Sequence, residues 1–278
     1  EVVRALMPIE GLWLVRGRPG EDGVSVAVRL ASRVEAADGV TQAIPDLWLA
    51  RVLRSDPVAP FVPRVPDDTY FPAQWFFGDL RMPEAWTHAW GDPAATVVVI
   101  DTGCNRGHPD LEEKMLDGLD VVDDDEDPSL PPAVDQEYGA SHGTACAGLV
   151  GAGTDNGKGV SGACPGCSLR CVRLLPIPND YVPLSSDVDA FRFVIDTSAA
   201  VASNSWGFRE YVRAPSSLAT AIKSVIRNGR DGQGAVVVFA AGNENREVFD
   251  DEIEGIDGVI SVGAVTHYAE VTAYSNYG

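Results

Sequence analysis

Three short segments carry side chains that together could perform acyl transfer. The apolar run Val97-Val98-Val99-Ile100 ends on Asp101-Thr102-Gly103, where loop amides would hold a carboxylate charged enough to orient a histidine. Ser141-His142-Gly143-Thr144-Ala145-Cys146-Ala147-Gly148 opens a helix with the histidine in its first turn. Gly143 and Gly148 would give room for close backbone approach, and Cys146, one turn on, would face inward. A third run, Val236-Val237-Val238-Phe239-Ala240-Ala241-Gly242, delivers Asn243 at another strand end. An Asn there is ordinarily a turn former, but beside the other two it supplies a donor for a developing oxyanion.

Asp-Thr-Gly after an apolar strand is ambiguous by itself. Aspartic proteases also use it, with two such carboxylates sharing a proton. This chain has one Asp-Thr-Gly, so that reading would require a symmetric dimer. His142, in its own glycine-rich segment downstream, favours the acyl-transfer reading.

The elements that must position these groups alternate. Apolar runs at residues 97–100, 169–175, 199–202, 235–240 and 259–262 read as buried strands. Between them Ser217 begins a helix with Leu218, Ile222, Val225 and Ile226 on one side and Gly229 at its end, and Asp187 begins another through Phe191, Val194 and Ile195. Strand, helix, strand repeated in this way predicts an α/β fold, a doubly wound parallel sheet with chemistry at the carboxyl ends of its strands. A smaller α+β unit precedes it: a strand at Leu12–Val15, a helix at Val24–Glu35, a break at Gly39 and a strand at Leu47–Leu53. We read residues 1–54 as that unit, 55–66 as a linker with Pro57, Pro60, Pro63 and Pro66 three apart, and 67–278 as the larger domain. Arg54 and Arg64 are basic sites where a processing protease could cut.

Composition bounds the partners. With 278 residues, 45% of them hydrophobic, the chain can bury a real core. Lys and Arg number 21 against 41 Asp and Glu, a net charge of -20 that speaks against nucleic acid as partner. No apolar run approaches the roughly 20 residues of a membrane-spanning helix, so no membrane partner is expected. The first residue is Glu1, without a leader, which suggests a removed signal segment or a trimmed start. The 5 cysteines cannot all pair within the chain. Cys164-Pro-Gly-Cys167 fits a tight loop disulfide, a redox pair or half a zinc site; a loop disulfide is preferred, and with it a secreted or otherwise extracytoplasmic location.

From about Asp68 to Gly278 the chain resembles the subtilisin family. Asp101-Thr102-Gly103 with His108-Pro109-Asp110-Leu111 resembles the family's aspartate region, His142-Gly143-Thr144 its histidine region and Asn243 its oxyanion asparagine. Ser203-Asn204-Ser205-Trp206-Gly207 resembles the strand that pairs with substrate, so Ser205, Trp206 and Gly207 are expected to line it. Cys146 in the histidine segment, Trp206, and the run Asp123-Asp124-Asp125-Glu126-Asp127 lean towards the kexin and furin branch, from which Thr102 departs. The resemblance implies a serine endopeptidase acting on proteins or peptides. The family's serine, in Gly-Thr-Ser-x-Ala-x-Pro, is absent from these 278 residues, so it is expected in a following segment or a second chain. The alternatives are a catalytically inactive binding or regulatory protein of this fold and, behind it, the dimeric aspartic protease.

The resemblance also implies Ca²⁺, held by Asp68, Asp110 and Asn156 at one site and by Asp123, Asp125 and Asp127 at another, because carboxylates and amide oxygens in loops are its ligands. Residues 1–54 resemble the latter part of a subtilisin propeptide, which implies a folding template and intramolecular inhibitor. The acidic balance suggests substrates with basic residues near the scissile bond.

Overall fold

The structure, a computed structural model, describes residues 62–130, 141–177 and 182–278, and the backbone alone of residues 2–5 and 13–15. The chain divides into two units, residues 1–60 and 61–278. In the first, β1 (Val2–Ala5) pairs antiparallel with β2 (Trp13–Val15), Val2 opposite Val15 and Ala5 opposite Trp13. β2 lies within the strand expected at Leu12–Val15; β1 was not expected, because four residues are too few to display a period. The helix expected at Val24–Glu35, the strand at Leu47–Leu53, and Arg54 lie outside the described residues.

The second unit opens with two short helices, α1 (Trp75–Asp79) and α2 (Met82–Ala85). Six strands follow: β3 (Thr96–Asp101), β4 (Leu119–Asp120), β5 (Ser168–Arg173), β6 (Val201–Asn204), β7 (Val236–Ala240) and β8 (Val259–Val262). They form one sheet in the order β4-β5-β3-β6-β7-β8, every pair parallel. The crossovers carry α3 (His142–Gly151) before β5, α4 (Leu184–Asp196) before β6 and α5 (Ser216–Gly232) before β7. From β3 the chain moves out to β5 on one side, then returns to β6 on the other. The strand order therefore reverses beside β3, and the crevice of such a sheet opens at the carboxyl ends there.

The unbroken apolar run of β3 follows from cover on both faces. Val98 and Ile100 pack with Phe191 and Val194 of α4 and Leu218, Ile222 and Val225 of α5. Val97 and Val99 point the other way, onto Ala147 of α3, Leu169 and Cys171. Two helix boundaries bear on the sequence reading. α4 starts three residues before Asp187, at Leu184, directly after Pro183, whose extended backbone makes the start. In α5 the helical path stops at Gly229, as expected, and Arg230 and Asp231 turn left-handed at φ +52° and +56°.

Cover is incomplete on one face. Val236 on β7 and Ile260 and Val262 on β8 are 44–51% exposed. The register sets Val238 beside Ile260 and Ala240 beside Val262. Together they form an apolar stripe, uncovered among the described residues, on the side of the sheet opposite α4 and α5.

Two disulfides are present: Cys104–Cys171, with Cα atoms 6.1 Å apart, and Cys164–Cys167. Cys146 is free, as the odd count requires. The tight loop disulfide is the pairing preferred from sequence; Cys104–Cys171 joins residues 67 apart and had no local signal.

Candidate active site

Asp101 ends the central strand and is fully buried, while His142, at the first position of α3, keeps 47% of its side chain exposed. Asp101 Oδ1 accepts the Thr102 backbone N–H at 2.7 Å and lies 2.7 Å from His142 Nδ1. With Nδ1 donating to the carboxylate, Nε2 is the ring nitrogen that can take a proton. The hydrogen bond that His142 donates to Asp101, followed by the contact to Cys146, raises the His142 pKa well above its usual 6.5, against the lowering effect of partial burial.

The pair is held by backbone approach. The Gly143 amide donates to Thr102 Oγ1 at 3.1 Å, and the Asn105 amide donates to Thr144 Oγ1 at 2.9 Å. A side chain at Gly143 would strike the carbonyl oxygen of Gly103, so the glycine is required for the approach. Gly148 is different. A Cβ there would meet only Val160, at an ordinary 3.9 Å, so the close approach expected at Gly148 does not occur. Cys146 is half-buried rather than turned fully inward, because its Sγ lies 3.8 Å from His142 Nδ1. Among the described residues, Asp101, His142 and Cys146 are the trio close enough to share one metal ion.

Asn243 is exposed just beyond β7. Its loop is fixed by Gly242 at φ +106° and by Asn276, which is 3% exposed. Asn276 Oδ1 accepts the amides of Glu244 and Arg246, and its Nδ2 donates to Ala241 O and Glu244 Oε2. Sequence reading missed Asn276, whose only signal is a polar pair at Ser275-Asn276 that both turn out buried.

Ser205, Trp206 and Gly207 continue from β6, which lies beside β3, with Ile100 opposite Asn204. Trp206 is half-buried, edge-to-face on Phe239 at 5.3 Å between centroids. Against Gly207 lies a second residue that sequence reading missed. Glu254 is 8% exposed, and its Oε1 fills the space a side chain at Gly207 would need. Burial, and then repulsion from Glu252, raise its pKa to about 7 despite a backbone hydrogen bond. Glu252 is instead neutralised by Arg246, with bonds of 2.6 and 2.7 Å. Glu254 therefore places a buried acidic group beside the segment after β6, with Arg246 only partly offsetting its burial.

The structure brings Asp68, Asp110 and Asn156 together. Asp68 Oδ1 accepts the Asn156 amide at 3.0 Å, and Asp110 Oδ1 accepts Asn156 Nδ2 at 2.9 Å. Ser161 Oγ donates to Asp68 Oδ2 at 2.5 Å, and the Val160 amide donates to Asp110 Oδ2 at 3.0 Å. Asp68 and Asp110 are 2% and 6% exposed, and oxygen-bearing side chains are the donor chemistry of a hard cation such as calcium, although Asn156 turns its Nδ2 to Asp110 and its Oδ1 to the Lys158 amide. Asp123, Asp125 and Asp127 are not gathered at one point. Asp123 pairs with Arg173 at 2.6 Å, Asp125 accepts the Asp127 amide and Asp127 the Ser129 amide, each closing a turn of its own. Arg64, expected as an accessible basic site, is held by Asp155 at 3.0 Å and lies 3.2 Å from the centre of the Trp90 ring.

The profile of the subtilase family matches residues 92–278. A thermophilic serine proteinase of Bacillus sp. strain AK1 is 34% identical over 214 residues, covering 77% of this chain and 49% of that protein. Rat furin is 29% identical over 84% of this chain and 31% of its own length, and thermitase of Thermoactinomyces vulgaris 33% identical over 64% and 58%. The chain thus spans about a third to three fifths of these relatives. A solved protease of Pseudoalteromonas arctica superposes with a TM-score of 0.67 at 28% identity, covering 77% of this chain and 70% of that one. With the profile extending over the carboxylate, the histidine and the asparagine, the chain belongs to the subtilase family.

Proposed function

We propose that this chain supplies the orienting carboxylate, the general base and the oxyanion donor of a serine endopeptidase. The observation that carries this reading is the 2.7 Å bond from a fully buried Asp101 to a histidine whose ring remains half-exposed. In the reaction, His142 Nε2 takes the proton of a serine as it attacks the peptide carbonyl, and later returns it to the leaving amine. Asp101 holds the tautomer and stabilises the imidazolium. Asn243 donates to the tetrahedral oxyanion, and the Ser205-Trp206-Gly207 segment pairs with substrate backbone. A carboxylate committed to its own histidine is poorly placed to share a proton with a twin, which speaks against the dimeric aspartic reading.

The serine comes from a segment or second chain that covers the stripe of Val236, Ile260 and Val262; parallel sheets are ordinarily buried on both faces, and among the described residues this one is bare there. Calcium at Asp68, Asp110 and Asn156 would tie residue 68 and the 155–161 loop together, a stabilising rather than chemical part. Residues 1–54 act as the inhibitory propeptide. The two disulfides favour an extracytoplasmic location; among the described residues no helix is long and apolar enough to cross a membrane. Glu254 beside Gly207 favours a basic side chain in the substrate.

Labelling of the full gene product with a fluorophosphonate, propeptide removed and calcium present, tests the reading. A serine adduct that disappears in His142→Ala is expected; the absence of any adduct overturns it in favour of a non-catalytic binding protein. Calcium is checked separately by melting with and without a chelator. An unchanged melting temperature removes calcium from the account.

A further inference from the structure

The Cys164-Pro165-Gly166-Cys167 ring plays no part in the proposed chemistry, and its two sulfurs are unequally placed. Cys167 is buried at 6% exposure, whereas Cys164 is only half-buried. Gly91, exposed and at φ +103°, lies against Cys164 Sγ, where any side chain on residue 91 would press on the sulfur at 2.7 Å. The backbone of the ring is clamped from outside. Its Gly166 amide donates to Trp90 O at 2.8 Å, and the Cys164 amide to Val150 O at 2.9 Å. Lys114 Nζ donates to the carbonyls of Cys164 and Pro165, at 2.9 and 2.7 Å. A cation is thus fixed on the ring itself. Burial lowers the Lys114 pKa to about 8, partly opposed by Asp110, so the amine is charged at neutral pH.

We propose that Cys164–Cys167 is a thiol–disulfide exchange site for a dithiol whose two thiols can close an unstrained disulfide ring, with Cys164 as the sulfur attacked. A thiolate of the dithiol attacks Cys164 Sγ, forming a mixed disulfide and expelling Cys167 as a thiolate, which takes a proton from solvent. The second thiol of the reagent then displaces Cys164. Two electrons pass to the pair, and the dithiol leaves as its own disulfide. Three features support this assignment over a purely structural staple. The residue attacked is half-buried while the leaving one is buried, an ammonium is held on the carbonyls of the ring, and external hydrogen bonds hold the ring in place once it opens. The second disulfide supplies the internal contrast, since Cys104 and Cys171 are 0% and 1% exposed.

The test uses the oxidised chain carrying Cys146→Ser, so that no free thiol confuses the readout. Dithiothreitol is added under native conditions, samples are quenched with iodoacetamide at intervals, and modified cysteines are mapped by mass. Carbamidomethylation of Cys164 and Cys167 is expected at least about tenfold faster than that of Cys104 and Cys171, with circular dichroism unchanged. Simultaneous modification of all four, or modification only as the fold is lost, overturns the proposal. A second measurement separates the two sulfurs. In the same background, Cys167→Ser leaves a Cys164 thiol that reacts readily with an aromatic disulfide, whereas Cys164→Ser leaves a slow one; equal rates overturn the assignment of the attacked sulfur.

Discussion

At the scale of single residues, the Asp101–His142 pair has a definite pH signature. Its carboxylate raises the folded pKa of His142 above the unfolded value of 6.5. The pair's contribution to stability is therefore fully present below that unfolded value and is lost as pH rises through the folded one. Catalysis needs the opposite form, because only a neutral imidazole accepts the serine proton, so turnover should rise over the same interval. Asp101→Asn is expected to return the His142 titration midpoint, followed by imidazole NMR, towards 6.5. In the assembled enzyme it should cost about 10⁴-fold in kcat, the size of effect a wrong tautomer has in triad proteases. A midpoint that does not move would show that Asp101 is not what holds the ring. Glu254 has the same sign for a different reason. Its pKa, raised to about 7 mainly by burial, means that stability is lost as pH climbs from the unfolded value of 4.5 through 7. Glu254→Gln should accordingly raise the melting temperature at pH 8 but not at pH 4. It should also reduce the preference for basic over apolar substrate residues by tenfold or more in kcat/KM; an unchanged preference would place the selecting group elsewhere.

At the scale of elements, the site depends on a strand end, a helix start and the covalent link beside them. Cys104–Cys171 closes a 67-residue separation that contains His142. Loop-closure entropy puts its contribution at about 4 kcal/mol. Urea denaturation of Cys104→Ser/Cys171→Ser should lower the unfolding free energy by roughly that amount, and a loss below about 1 kcal/mol would mean that the packing of β3 on β5 suffices. The elements that sequence made legible share one property: their pattern was local. Val97–Ile100 announced a strand covered on both faces, and Gly229 announced the end of α5. Asp101, His142 and Asn243 stood at strand ends or helix starts. What stayed hidden was long-range. Glu254 and Gly207 are 47 positions apart in the chain, and nothing in either segment signals the contact. Asn276 supports Asn243 from 33 positions away, and the acidic run at residues 123–127 looked like one ligand set because sequence does not show which way each carboxylate turns.

At the scale of the molecule, the face of the sheet opposite α4 and α5 is covered by α3 over β3 and β5 and, among the described residues, open over β7 and β8. α4 and α5 bury Val98, Ile100, Val237 and Phe239, while Ile260 and Val262 are left about half-exposed. Replacing them with Asp and Lys should leave the melting temperature of this chain within about 1 °C, because surface positions contribute little to its stability. The same change should abolish association with the serine-bearing segment. A large drop in melting temperature would show that the stripe is packed within the chain after all. The stripe also has a colloidal consequence. An exposed apolar stripe can meet its counterpart on another copy, and the net charge of -20 is what holds copies apart. Salt shortens the reach of that repulsion from about 10 Å at 0.1 M to about 3 Å at 1 M. The uncovered chain should therefore remain dispersed in dilute buffer and self-associate as ionic strength rises.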